Sequence, residues 1–340
     1  MESEKSQDPQ CSEALTEDQG DRLNSRLERY AKAAKRSREM AAYCRSIGDT
    51  NRFMKLCDCG STLTFHHYFT KGLLKLVKAY FCKSHLLCPL CAIRRGGKQL
   101  RRFMGHYEDL REAAAGGGVN LNPQLITLTT KNGEDLAERV QHLQDGLATL
   151  GRRTRDAKRG KGQKSEWGKV LGVVGSIEVT NQGRGWHVHT HLFVLASSPI
   201  DSNRLSEEWS RITSDSFIID VSDIPQDQDP LSAFCEVLKY AMKFSDLSLA
   251  DNYFASKVLK RKRLFFATGL FFGIPEPDKL TDDPLLDLPY LELLYRYHES
   301  SGYNLHSWET HDPSVPPDSS GAHAEERGGE GEGAGSEKSS

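Results

Sequence analysis

The sequence predicts an α+β protein: an antiparallel or mixed central sheet of the split-βαβ type with helices on one side, preceded by a small metal-binding element. Three observations carry this. Between residues 123 and 246 the hydrophobic pattern runs in the order βα-ββ-αβ-α, which suits a helix-covered sheet better than a parallel doubly wound one. Five cysteines crowd into residues 57–91. A chain of 340 residues, 37% hydrophobic and 27% charged, holds one large domain or two smaller ones around a well-buried core.

Taken in order, "DRLNSRLERYAKAAKRSREMAAYCRS" (21–46) reads as a basic helix with few apolar anchors, either solvated or set against phosphates. Residues 1–48 therefore form a polar, helical lead-in, and 49–100 the cysteine-rich element. A helix around 106–117 ends in "GGG" (116–118), a cap or linker. "PQLITLTT" (123–130) has the pattern of a strand, and "GEDLAERVQHLQDGLATL" (133–150) that of an amphipathic helix. "GRRTRDAKRGKGQKSEWGK" (151–169) reads as a basic loop. "KVLGVVGSIEVT" (169–180) and "WHVHTHLFVLA" (186–196) are strands joined by the glycine-rich hairpin "NQGRG". A helix (201–214), a strand (216–224) and a helix (229–246) follow. Residues 263–298 form an extension without a defined place, so the main domain spans 101–305. Residues 306–340 read as a disordered acidic tail.

Charge is unevenly spread. The chain carries −2 overall, but −5 falls in residues 1–20 and −6 in 309–340, leaving +9 on residues 21–308. A basic body with acidic ends suits a nucleic-acid partner. The longest apolar run, "RLFFATGLFFGI" (263–274), is too short and interrupted to span a bilayer. The polar N-terminus shows no signal peptide, so a cytoplasmic protein without membrane contact is expected. Its eight cysteines then favour metal binding or free thiols over disulfides.

"CDCG" (57–60) and "FCKSHLLCPLCAIRR" (81–95) supply the clustered thiols. Cys88 and Cys91 form a C-x₂-C whose turn points both thiolates at one ion, and Gly60 after Cys59 admits a second bend. Zn²⁺ takes four such ligands in a tetrahedron. The set is Cys59, Cys82, Cys88 and Cys91, with Cys57 as the alternative to one of them. Four thiolates leave no open position, so the zinc is structural.

"GWHVHTHLFVL" (185–195) spaces His187, His189 and His191 two apart. In a strand these side chains share one face. If the hairpin turns near Gly183–Arg184, Glu178 lies across from about His189. A carboxylate beside imidazoles is a ligand set for a divalent cation with positions left for water or a phosphate oxygen. Which two histidines pair stays open. The spacing also fits the histidine-triad hydrolases, although Thr190 departs from their pattern.

In "PLSAFCEVLKYAMKF" (230–244), a helical projection gathers Leu231, Phe234, Cys235, Leu238 and Met242 into one apolar stripe. Tyr240 falls opposite that stripe, with Glu236 one turn before it and Lys239 and Lys243 nearby. The phenol is therefore not explained by the core.

A strand "LITLT", a histidine strand "HVHTH" ahead of an apolar run, and a helix with "EVLKY" resemble, in that order, the three motifs of the HUH endonucleases that initiate rolling-circle plasmid replication. The cysteine cluster ending "CPLCAIRR" resembles the N-terminal element of one branch. The resemblance covers roughly residues 50–300. It implies a nickase and strand transferase with Mg²⁺ or Mn²⁺ on His189 and His191, Tyr240 as nucleophile, and Glu236 activating water at termination. Lys243 would favour phenolate. The implied partner is plasmid origin DNA, single-stranded or extruded as a hairpin, with a host helicase and polymerase. Arg152, Arg153, Arg155, Lys158, Arg159, Lys161 and Lys164 are expected to grip phosphates, and Trp167 to stack on an unpaired base. Relaxases and single-strand transposases share this chemistry. A histidine-triad nucleotide hydrolase and a non-catalytic zinc-containing regulator are the readings from other classes.

Overall fold

The computed structural model describes residues 16–117, 120–161, 164–225, 230–237 and 247–313. The strands are β1 (Thr62–Tyr68), β2 (Leu73–Ala79), β3 (Asn122–Thr129), β4 (Val170–Asn181), β5 (Trp186–Ala196), β6 (Ile219–Asp223), β7 (Phe265–Gly269), β8 (Tyr290–His298) and β9 (Gly302–His311). The helices are α1 (Glu17–Ser46), α2 (Thr50–Cys57), α3 (Pro89–Gly117), α4 (Leu136–Lys158), α5 (Ser202–Thr213), α6 (Leu231–Val237) and α7 (Leu249–Val258). They make an α+β protein with two antiparallel sheets, ordered β6-β3-β5-β4-β7 and β2-β1-β8-β9.

The five-stranded sheet is built on period-two alternation. Ile126 and Leu128 of β3, Ile177 and Val179 of β4, and Val188, Leu192 and Val194 of β5 share one core. Leu136, Val140, Leu143 and Leu150 of α4 close it from one side, at the three- and four-residue steps of an amphipathic helix. Trp209 of α5 reaches in beside them, its indole nitrogen donating to Thr129 O at 2.8 Å. Gly146 permits that approach, because a Cβ there would sit 2.6 Å from the Trp209 ring. The expected helices on one side are thus α4 and α5. The opposite face is also partly covered: Phe103 and Tyr107 of α3 and Phe234 and Val237 of α6 pack on Val174, Phe193 and Leu195.

The extension that the sequence left unplaced divides between the sheets. β7 pairs with β4 at the edge of the larger one. β8 joins the smaller one with β9, which runs through residues 306–311 that were expected in the acidic tail. β8 pairs with β1, Leu63 opposite Tyr295 and Phe65 opposite Leu293. A two-stranded β1–β2 ribbon is marginal alone, so residues beyond 290 complete the cysteine-rich element rather than lengthening the larger sheet. The expected 49–100 element therefore does not contain its whole sheet. Nor is α1 a free basic rod. Leu23, Leu27, Tyr30, Ala34, Ser37, Ala41 and Cys44 are buried at alternating steps of four and three, and all but Ser37 line the core beside the cysteines. Four of these seven are alanine, serine or cysteine, which hides the stripe in the sequence.

α3 joins the two units. The sequence predicts it only around 106–117, but it begins at Pro89, directly after Cys88. Leu90 and Cys91 lie in the cysteine-side core, and Phe103 and Tyr107 in the core of the histidine face.

Candidate functional site

Register builds the site. The hairpin after β4 turns through Gly183 and Gly185, both at φ 80°, a left-handed conformation that glycine adopts without strain. Pairing then sets Glu178 opposite His189 and Ser176 opposite His191. On the other flank, Thr129 stands opposite His189 and Thr127 opposite His191. Glu178, His189, His191 and Thr127 consequently share the face turned away from α4.

The ligand atoms of Glu178, His189 and His191 all lie within 4.8 Å of one another. Glu178 Oε2 is 3.4 Å from His189 Nε2 and 3.8 Å from His191 Nε2. Glu178 has no exposed surface, and the two histidines are 6% and 9% exposed. A buried carboxylate is costly unless a positive charge faces it, and a divalent cation at the focus of these groups supplies one. Two imidazoles and a carboxylate form a donor set that could hold a divalent cation. His187, by contrast, lies outside the group: its Nδ1 is 2.8 Å from Asn132 Oδ1. Thr190, the departure from the histidine-triad pattern, is buried on the opposite face, where its hydroxyl donates to Ser176 O at 2.7 Å.

α6 brings one more carboxylate. Phe234 stacks on Phe193 with ring centroids 4.0 Å apart, a contact worth about 1 kcal/mol beyond the area it buries. This anchor leaves Glu236 Oε1 3.8 Å from His191 Nε2. The stripe read from the sequence needs correction. Ala233, Phe234 and Val237 are buried, whereas Leu231 and Cys235 are exposed, because the helix follows the Phe193 ring rather than its own most apolar side. Tyr240 and Lys243, with Lys239, Leu238 and Met242, lie outside the described residues. Tyr253 of α7 is committed to the fold: its hydroxyl donates to Asp49 Oδ2 at 2.7 Å.

The cysteines form a second centre. The Sγ atoms of Cys59, Cys82, Cys88 and Cys91 lie within 4.8 Å of one another, at 3.5 Å for Cys59–Cys88 and 3.6 Å for Cys59–Cys91 and Cys82–Cys91. Gly60 takes φ 66°, and a Cβ there would collide with Leu90 Cδ2 at 2.2 Å, so the turn after Cys59 requires glycine. Cys57 is turned away, its thiol directed at Met54 O at 3.3 Å. Burial opposes ionisation of Cys88, but hydrogen bonds from Cys59, Cys82, Cys91 and Ser37 outweigh it and pull the thiol well below its usual range. Hydrogen bonding to the neighbouring cysteines pushes Cys59 and Cys91 up. The C-x₂-C does open a helix, as a redox pair would. Its two companions make it instead a closed four-sulfur set that fits Zn²⁺.

The basic stretch sits apart from the histidines. α4 continues to Lys158, so most of the expected loop is helix. This helix end packs against the turn leading into β4, whereas Glu178 lies eight residues further along, roughly 25 Å at strand rise. Arg152, Arg155, Lys158, Arg159, Lys161 and Lys164 are exposed. Arg153 is engaged by the buried Glu208 carboxylate, which also accepts from Glu166 N at 3.1 Å. Trp167 is 4% exposed and unable to stack on a base; the interior between α4 and β4 holds it.

Sequence reasoning missed Thr127 and Asn132, the partners of His191 and His187. Threonine among apolar residues on "LITLT" was the available signal.

A family model described as Replication protein matches residues 73–292. The chain is 28% identical over 252 residues to a "Protein rep" of Streptococcus pneumoniae serotype 2 (strain D39 / NCTC 7466), covering 68% of this chain and 73% of the relative. A "Protein rep" of Bacillus amyloliquefaciens is 24% identical over 276 residues, 70% of this chain and 76% of that one. One from Bacillus sp is 28% identical over 157 residues, 46% and 45% of the two chains. No solved structure matches.

Proposed function

The chain belongs to the replication protein family Rep_1, and on that premise we propose that it initiates rolling-circle replication of a plasmid by nicking one strand at the origin. The observation that supports this reading most is the grouping of Glu178, His189 and His191 on one sheet face, with Glu236 of α6 beside it, 3.8 Å from His191 Nε2.

Glu178, His189 and His191 would hold a divalent cation, which when bound neutralises charge developing on the scissile phosphate. Tyr240, four residues after Glu236 in the sequence, is the nucleophile. Its phenolic oxygen attacks phosphorus, and the bond to the 3′ oxygen breaks. The products are a 5′-phosphotyrosine and a free 3′-OH, the primer a polymerase extends. The phenol, with an ordinary pKa of about 10, must lose its proton on attack, and Lys243 would favour the phenolate. At termination Glu236 takes a proton from the water or hydroxyl that displaces the enzyme. The exposed cations between Arg152 and Lys164 would track phosphates away from the cleavage point. Zn²⁺ on the four cysteines serves the fold.

The test is cleavage of labelled single-stranded origin DNA with Mn²⁺. His189→Ala and His191→Ala should each abolish nicking, and EDTA should do so without unfolding the protein. Full cleavage in EDTA would favour the metal-free histidine-triad chemistry instead.

A further inference from the structure

The strand "LITLT" carries a polar residue that the mechanism above does not use. On β3, Ile126 and Leu128 enter the core with α4, so Thr127 and Thr129 occupy the face that bears the histidines. Thr129 serves the fold, since its hydroxyl donates to Ile218 O at 2.7 Å and ties β3 to the chain that enters β6. Thr127 has a different neighbour. Its Oγ1 lies 3.0 Å from His191 Nδ1, and the register sets the two residues directly opposite.

A neutral imidazole offers a lone pair from one nitrogen only, and its other nitrogen carries the proton. His191 Nε2 is the nitrogen directed at Glu178 and Glu236, 3.8 Å from each. For Nε2 to donate to a cation, Nδ1 must hold the proton and needs an acceptor. We propose that Thr127 is a positioning residue whose hydroxyl oxygen accepts the Nδ1–H of His191, fixing the tautomer and ring angle that present Nε2 to the cation. This rests on the reading of Glu178, His189 and His191 as a cation site. The two histidines differ here. His189 Nδ1 is buried without a hydrogen-bond partner among the described residues, so His191 is the ligand that a side-chain hydrogen bond orients. Partners of this kind set tautomer and basicity in metal sites.

Valine matches threonine in shape and removes only the hydroxyl, so the full chain should fold with Thr127→Val. Two readouts are made on wild type, Thr127→Val, Thr127→Ser and His189→Ala. One is Mn²⁺ affinity, by the electron paramagnetic resonance signal of free Mn²⁺. The other is the ¹⁵N shifts of the His191 ring in metal-free protein. Thr127→Val should bind Mn²⁺ about 10-fold more weakly and lose the uniform Nδ1–H form, while Thr127→Ser restores both. Wild-type affinity together with an unchanged tautomer in Thr127→Val would overturn the proposal. If wild type holds Mn²⁺ no better than His189→Ala, the cation reading fails. The tautomer then decides alone: loss of the Nδ1–H form upholds Thr127 as the orienting group, and its persistence refutes it.

Discussion

On the proposed mechanism, Glu236 would separate an enzyme that opens a strand once from one that must also let go. After a first cut the nucleophile would be consumed in a phosphodiester, and release would need a second group. Glu236 stands at the histidine set, where a carboxylate that deprotonates water contributes roughly 10²–10⁴-fold in rate. Glu236→Gln should nick at near wild-type speed yet release slowly and accumulate over-length single strands on a denaturing gel. Normal termination in that variant would assign water activation elsewhere. At this scale the sequence was informative where spacing alone decides. The two-residue spacing and the glycine hairpin put Glu178 across from His189, and the structure has that pairing. It was uninformative where a contact is non-local. Nothing local in the chain distinguishes His187 from its neighbours; Asn132, 55 positions away, takes its Nδ1.

Elements show the same division. Strands β3, β4 and β5 were legible from alternation, but α3 was legible only around 106–117, although it begins at Pro89. The joint of α1, α2 and α7 was not legible at all. Asp49 caps α2 through Arg52 N at 3.1 Å and binds the Arg52 guanidinium and the Tyr253 hydroxyl. Burial works the other way, but hydrogen bonds from Tyr253 and Arg52 hold the Asp49 carboxyl at about 2, below its ordinary 3.8. A depressed carboxylate stabilises the fold above its unfolded pKa, and that contribution fades as pH falls from about 4 towards 2. Asp49→Ala should therefore cost about 1–2 kcal/mol at pH 7, the size of a lost helix cap. In urea unfolding, the gap between variant and wild type should narrow below pH 4. An equal gap at pH 2.5 would contradict this linkage.

For the whole molecule, two metal centres are expected to answer to different treatments. The cysteine set is buried beside α1, β1 and β8, so its loss should loosen that entire unit. Structural zinc can contribute on the order of 10 kcal/mol to a small fold. Cys88→Ser should emerge without zinc and with α1 exposed to protease, whereas Cys57→Ser should keep one zinc per chain by elemental analysis. Two zinc-free variants, or two zinc-loaded ones, would be at odds with the Cys59, Cys82, Cys88 and Cys91 set. No helix among the described residues is long and apolar enough to cross a membrane, in keeping with the short apolar runs of the sequence. The pairing of β8 with β1, more than 220 residues apart, left no trace in local pattern.

The central claim is that one tyrosine of this chain becomes covalently joined to origin DNA at a site organised by two histidines and a glutamate. The most direct measurement incubates the full chain with labelled single-stranded origin DNA and Mn²⁺, isolates the denaturant-resistant adduct, and maps the modified peptide by mass spectrometry. A 5′-phosphotyrosine at Tyr240 is predicted, absent in Tyr240→Phe, in His189→Ala and in EDTA. An adduct on any other residue, or one that survives in Tyr240→Phe, would contradict it.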